Sequence, residues 1–198
     1  MDESQSPLAS AKLPEEAPQR KTMPIHLLGS KLLRQPCLPV VDCKKVIDLA
    51  EVMVHTMFSV DGVGLAAPQV GVNYRLFVMV SPKENKVLKL ANPFIDSQEG
   101  EQEIEEGCLS QPGLSVKMKR PKIVYVKAQN IETGEQVIVE GTDLEAAILC
   151  HEIDHLNGKL ICDSISRLKR SMYAKKLAKK LKQHDRQIAS RNAALSKS

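Results

Sequence analysis

The sequence predicts an α+β protein, with small mixed or antiparallel sheets around a central helix and with N-terminal and C-terminal helices. Three observations predict this class. Apolar residues recur at helical spacing over residues 42–60, and a second helical segment with clear boundaries begins near residue 142. Between them lie short apolar or alternating runs that indicate strands. A helix, then strands, then a helix is typical of the α+β class.

The chain length of 198 residues corresponds to one domain with tails. Residues 1–22 contain three prolines, no aromatic residue and no apolar period, so we expect a disordered tail there. We expect a folded domain over residues 23–163 and a basic helix and tail over residues 164–198.

Composition argues against several classes of protein. Apolar residues make up 42% and charged residues 26%, which is ordinary for a globular protein, and no apolar run approaches the ~20 residues of a membrane helix. The five cysteines are irregularly spaced, which indicates a reducing compartment rather than a disulfide framework. Acidic residues near the N-terminus do not fit a secretory signal or a transit peptide, so we expect a bacterial cytoplasm in preference to an organelle.

The net charge of +4 is unevenly distributed. Residues 164–198 contain eleven Lys or Arg and one acid, which gives +10 for this segment and −6 for the remainder. An acidic body with a basic tail predicts that the tail contacts a polyanion. The alternative, which the sequence leaves open, is a solvated helix face.

The elements follow in order. Asp42 is a plausible N-cap for the first helix, and the glycines at 62 and 64 end it. Residues 75–80 and 86–91 are predicted strands, and residues 123–128 and 136–140 are predicted to pair as a hairpin. Thr142 and Glu145 have the spacing of a capping box for the next helix, and Gly158 is its expected C-terminal stop. The last helix is predicted over about 164–189.

The helix after residue 142 contains an HExxH motif, His151-Glu152-Ile153-Asp154-His155. Two histidines at i and i+4 lie on one helix face, ~5–6 Å apart at Cβ, and can share one metal ion. Glu152 lies about 100° around the helix, so its carboxylate can take a proton from a water whose pKa the metal lowers to ~7.

A catalytic metal site of this type needs a third protein ligand. No glutamate follows the motif and no histidine stands at the metzincin position, so the ligand must come from upstream. Cys108 follows Gly107, a residue that lets backbone approach closely, and a thiolate suits Fe or Zn. Cys108 leads the other cysteines by a modest margin, and spacing alone does not settle the choice.

The segment Gly62-Val63-Gly64-Leu65-Ala66-Ala67 matches the residue pattern of a dinucleotide-binding motif, but its predicted structural context differs. That motif follows a strand and opens a helix, whereas this segment follows a predicted helix and precedes a predicted strand. The two glycines instead indicate close approach of the backbone to a ligand. Gln69, just beyond them, offers an amide donor and acceptor, although its ordinary interpretation is a turn residue.

Three segments together resemble the motifs of the peptide deformylases. They are Gly62–Gln69, Glu106-Gly107-Cys108-Leu109-Ser110, and the HExxH motif, in matching order and spacing, and the resemblance extends from about residue 24 to about residue 167. It implies a catalytic deformylase domain that removes the formyl group from N-terminal formyl-methionine of nascent polypeptides. It implies one divalent metal ion, Fe(II) or else Zn, Ni or Co, held by Cys108, His151 and His155.

The resemblance also implies roles for further residues. Glu152 would be the general acid and base, and Gln69 with the Leu109 backbone N–H would stabilise charge on the formyl oxygen. Gly64 would pair with the substrate backbone, and Gly107 would also belong to the substrate-binding residues. The expected methionine pocket is lined by Val63, Ile104, Leu144, Ala147 and Ile148. Glu106 and Arg120 would form an ion pair behind the cysteine loop.

Two alternatives remain at this stage. An HExxH zinc peptidase would cleave internal peptide bonds and would not need Cys108. A protein that binds the ribosome or RNA and has an inactive site would hold no metal. We expect formylated nascent peptides as substrate, ribosomal RNA as the contact of the basic tail, and neither a membrane nor DNA as partner.

Overall fold

A computed structural model describes residues 22–195. The chain divides into two compact units, the first ending at Ile161 and the second beginning at Cys162. All but the last residue of the predicted N-terminal tail lies outside the described residues.

The described residues form α-helices and antiparallel strands, as the predicted α+β class requires. The helices are α1 (Ile47–Ser59), α2 (Leu144–Leu156) and α3 (Arg167–Leu195), with 3-10 turns at Lys31–Arg34, Cys43–Val46, Ala67–Val70 and Ile161–Ser164. The strands are β1 (Gly64–Ala66), β2 (Leu76–Ser81), β3 (Lys86–Glu99), β4 (Gln102–Gly107), β5 (Ser115–Arg120), β6 (Ile123–Asn130) and β7 (Gln136–Thr142).

The strands form two sheets. One has the order β1-β2-β3-β6-β7, so β1 and β7 are its edges, and β4 pairs with β5 in a separate two-stranded sheet. Every named pair is antiparallel. The predicted pairing of residues 123–128 with 136–140 is confirmed, with Val126 opposite Val139.

Strand β2 is buried on both faces, which explains its continuous apolar sequence. Leu76, Val78 and Val80 pack in the cluster that contains the buried face of α1. Phe77 and Met79 belong to the cluster that contains α2. The sheet therefore carries a helix-packed core on each side of β2, and α2 is fixed against it by side chains of β2, β3 and β6.

Three strands, β1, β4 and β5, were not predicted, and neither was the part of β3 beyond residue 91. Strand β3 continues past Asn92, whose φ of 51° accompanies a register shift before Phe94. Strands β4 and β5 alternate in burial, with Val116 and Met118 turned inward. That alternation is the available sequence signal, although the glutamate-rich β4 obscures it.

The helix termini correct one prediction and confirm another. Thr142 is the last residue of β7, and Asp143 precedes α2 with a φ of 50° and no side-chain cap, so the predicted capping box is wrong. The strand already uses the residue that would have had to cap the helix. At the other end Gly158 stops α2 with a φ of 72°, and its N–H donates to the His155 carbonyl at 3.1 Å.

The second unit consists largely of α3. Helix α3 begins at Arg167, three residues later than predicted. The Ser166 hydroxyl, just before it, accepts a hydrogen bond from the Lys169 N–H at 3.3 Å. Leu168 and Met172 on this helix are exposed. Within residues 22–195, no helix has the length and apolar content needed to cross a membrane.

Gly141 is required where the start of α2 packs against β7, and we predict that Gly141→Ala destabilises the protein. An added Cβ would lie 2.5 Å from Leu149 Cδ1 and 3.1 Å from the Ala146 nitrogen. We expect the free energy of unfolding in urea to fall by about 1–3 kcal/mol. Gly107→Ala is the matched control, since nothing lies within 4 Å of its added Cβ, and an equal loss in both variants would contradict the prediction.

Candidate metal centre

The predicted ligands converge. Cys108 follows β4, whereas His151 and His155 lie one turn apart on α2. One ligand atom from each of the three side chains lies within 4.8 Å of the others, and Cys108 Sγ lies 3.2 Å from His155 Nε2. His155 is buried, and Cys108 and His151 are partly exposed toward the cavity that they line.

The two histidines have different surroundings. His151 Nδ1 lies 2.9 Å from Glu106 Oε2, which leaves its Nε2 for the centre. Burial lowers the pKa of His151, but its hydrogen bonds to Cys108 and Glu106 outweigh burial and raise that pKa well above its usual range. The pKa of His155 is lowered well below its usual range by burial, and then by His151. The site therefore favours one positive charge near His151 and a neutral imidazole at His155.

This arrangement fits a divalent metal ion. One thiolate and two imidazoles are donors that suit Fe(II) or Zn(II), and three protein ligands leave one position for water or substrate. A cation held between the three ligand atoms supplies the positive charge that the surroundings of His151 favour.

Glu152 lies beside this centre, buried at 3% exposure. Its Oε2 has no hydrogen-bond partner among the described residues. Burial raises the pKa of Glu152 to about 7, against the opposing effect of His151. A carboxyl group with this pKa exchanges protons readily at neutral pH.

Gly64 leaves the space that this carboxylate occupies. A Cβ at Gly64 would lie 2.3 Å from Glu152 Oε1, so the glycine in β1 allows the carboxylate to approach the backbone. Because β1 is an edge strand, an extended peptide could pair with its outer side.

The Gln69 amide has a fixed orientation. Its Oε1 accepts a hydrogen bond from the Ala66 N–H at 2.8 Å, so its NH2 group faces the other way. Nε2 lies 3.3 Å from Ser110 Oγ and 3.8 Å from Cys108 Sγ. The His26 N–H donates to the Gln69 carbonyl at 2.7 Å and holds this turn in place.

A cavity of about 390 Å³ opens beside the centre. Cys108, His151 and Glu152 line it. So does every residue expected to contact the substrate: Val63, Gly64, Gln69, Ile104, Gly107, Leu109, Leu144, Ala147 and Ile148. Asp61 and Glu105 also line it and were not singled out from the sequence. Each stands directly beside a motif, Asp61 before Gly62 and Glu105 before Glu106, but adjacency in the chain does not show which side chains face a cavity.

Glu106 and Arg120 form the expected ion pair, with Nε to Oε1 at 2.6 Å and Nη2 to Oε2 at 3.0 Å. The pKa of Glu106 is lowered, because the bonds from Arg120 and His151 outweigh burial. Asp154 was missed in the sequence, and its Oδ2 accepts from Arg120 Nη1 at 2.7 Å. Its position three residues after His151, on one helix face, was the available signal.

Comparison with known proteins gives one consistent family. The model of the family described as "Polypeptide deformylase" matches residues 22–171. The peptide deformylase of Acidothermus cellulolyticus is 46% identical over 143 residues, covering 72% of this chain and 78% of that protein. That of Hydrogenovibrio crunogenus is 40% identical over 159 residues, covering 79% and 94%.

Solved structures agree. The crystal structure of a peptide deformylase from Legionella pneumophila matches with a TM-score of 0.77 and 40% identity, covering 84% of this chain and 99% of that one. A peptide deformylase from Ehrlichia chaffeensis in complex with actinonin matches with a TM-score of 0.77 and 32% identity, covering 81% and 98%.

We predict that Cys108→Ala removes most of the bound metal, because two imidazoles alone hold a divalent ion weakly. The measurement is metal per chain by elemental analysis after anaerobic purification. Cys43→Ala is the matched control, since that thiol is buried in the α1 core cluster. A full metal complement in Cys108→Ala would point to another ligand.

Proposed function

The chain belongs to the polypeptide deformylase family, and from that membership we propose how its residues carry out the reaction. The enzyme hydrolyses the N-terminal formyl group of formyl-methionine on new polypeptides and releases formate. The observation that carries the assignment of roles is the convergence of Cys108, His151 and His155 within 4.8 Å, beside a buried Glu152 carboxylate whose Oε2 has no hydrogen-bond partner in residues 22–195.

We propose Fe(II) as the native metal, with Zn, Ni or Co able to replace it. When bound, the metal supplies Lewis acidity, which lowers the pKa of a water molecule and polarises a carbonyl. The thiolate and two imidazoles are donors that Fe(II) accepts. Cys108 lines the open cavity, so oxidants reach its sulfur, and the iron enzyme should lose activity in air.

Glu152 handles the protons. Its carboxylate accepts the proton of the water that attacks the formyl carbon, and then delivers that proton to the amine that leaves. The pKa of about 7, which burial produces, suits a group that must accept and donate at neutral pH.

Gln69 and Leu109 stabilise the negative charge that develops on the formyl oxygen. The NH2 group of Gln69 is aimed by the Ala66 N–H bond to its oxygen, so no reorganisation is needed during the reaction. The Leu109 backbone N–H is the second donor, and each donor contributes about 10²–10³ in rate.

The cavity selects the substrate. Val63, Ile104, Leu144, Ala147 and Ile148 form an apolar wall that receives the methionine side chain. Gly64 pairs its backbone with the peptide, which allows any sequence to follow the first residue. This breadth is what processing of all new chains requires.

The rival interpretation, an HExxH zinc peptidase, is tested by substrate choice. A formyl-Met peptide is compared with its acetyl-Met counterpart and with a peptide that offers only internal bonds. Formate release from the first, without cleavage of the others, supports deformylation. Preference for an internal bond would reject it.

The basic tail at 164–198 is proposed to contact ribosomal RNA near emerging chains, by phosphate contacts rather than base reading. Lys175, Lys179 and Lys182 recur at helical spacing on α3 and are exposed. We also propose that the enzyme acts in a bacterial cytoplasm. No disulfide joins the cysteines within residues 22–195, in keeping with a reducing compartment, and the relatives named above are bacterial.

We predict that Glu152→Ala retains its metal and loses formate release by about 10²–10⁴-fold, because the carboxylate moves protons and is not a ligand. Formate and metal are measured in the same anaerobic sample. Glu103→Ala, an exposed glutamate on β4, is the control and should remain active. Turnover close to that of the unaltered enzyme would remove Glu152 from the mechanism.

We predict that changing Lys175, Lys179 and Lys182 to Gln weakens ribosome binding and its salt dependence, while turnover of short formyl-Met peptides is unchanged. Cosedimentation with ribosomes at two salt concentrations measures this. The same change at Lys83, Lys86 and Lys127 of the first unit removes equal charge and is the control. Equal sedimentation of both triple variants would reject a specific role for the tail.

A further inference from the structure

The centre joins two parts of the fold that no shared sheet connects. Cys108 follows β4, which within residues 22–195 pairs only with β5, whereas His151 and His155 are carried by α2. The position of the Cys108 sulfur relative to the two imidazoles therefore depends on how the β4–β5 hairpin is attached to the helix.

Four side chains close a ring between the hairpin and the helix. His151 on α2 meets Glu106 on β4 at 2.9 Å, and Glu106 meets Arg120 on β5 at 2.6 and 3.0 Å. Arg120 returns to α2 through Nη1, which donates to Asp154 Oδ2 at 2.7 Å. The ring thus begins and ends on one helix, one turn apart.

Asp154 closes this ring. The Arg120 and Glu106 side chains are 9% and 8% exposed, and Asp154 is 27% exposed at the outer end of the network. Without the Asp154 carboxylate, only Glu106 would hold the guanidinium, and the hairpin would keep a single bond to α2 within the ring, the one to His151. A buried guanidinium that loses one charged partner is left with an under-compensated charge, which destabilises the contacts that remain.

We propose that Asp154 is a positioning residue for the metal centre. It acts through Arg120 and Glu106 to fix the His151 imidazole and the distance between Cys108 and the helix. The inference deepens the proposed function and rests on it, because the ligands whose placement it explains are those assigned above. Its consequence is that Asp154, which need not touch metal or substrate, sets how tightly the metal is held.

The test uses the full-length protein loaded with Co(II), whose visible spectrum reports the ligand geometry. Asp154→Asn keeps the size of the side chain and removes its charge. We expect its Co(II) to be released to excess chelator about tenfold faster than from the unaltered protein, with a changed Co(II) spectrum. Asp154→Glu, which retains a carboxylate, should recover part of the loss.

Two further variants serve as a control and as a second test. Asp96→Asn removes a carboxylate from the exposed pair with Lys127 at 2.8 Å, and it should release Co(II) at the original rate. Arg120→Lys keeps the charge and loses the fork of donors, and it should reproduce the defect if Asp154→Asn does not fold.

The outcomes separate the inference from its premise. Release from Asp154→Asn at the original rate and with the original spectrum would overturn the inference, and so would a lower unfolding temperature with unchanged release. Failure of the unaltered protein to bind Co(II) would overturn the proposed function and this inference together.

Discussion

The site depends on holding a thiol carried by a hairpin against two imidazoles carried by a helix. Cys108 and His155 approach to 3.2 Å although 47 residues separate them in the chain. Apolar packing fixes α2 on the five-stranded sheet, and the contacts of Glu106 with His151 and of Arg120 with Asp154 connect the hairpin to that helix. The chemistry then follows from this arrangement, because the groups behind the ligands orient them toward the metal.

Burial gives the neighbouring groups their reactivity. The Glu152 side chain is buried, so its pKa rises to about 7, and the missing side chain of Gly64 leaves room for it. Gln69 is held by Ala66 so that its donor faces the centre. In each case a backbone feature next to the site, rather than a further charged side chain, places the functional group.

The sequence predicted much of this from local patterns. The helical spacing of α1, the apolar run of β2, the β6–β7 hairpin and the glycine stop of α2 all depend on near neighbours in the chain. The capping box failed because Thr142 is used by a strand, and β4 and β5 were missed because the glutamates of β4 obscure the alternation that would have marked the pair. The residues expected at the substrate site also line one cavity: Val63, Gly64, Gln69, Gly107 and Leu109 belong to recognisable motifs, whereas Ile104, Leu144, Ala147 and Ile148 were expected only from the family resemblance.

The sequence by itself determined the two histidines of the helix and the carboxylate between them, because a helical repeat fixes which residues share a face. It favoured Cys108 without deciding among the cysteines. Only the tertiary structure decided that Arg120 and Asp154 stand behind His151, and that Asp61 and Glu105 border the cavity. Contacts between distant segments depend on how sheets and helices pack, and no local pattern in the chain encodes that distance.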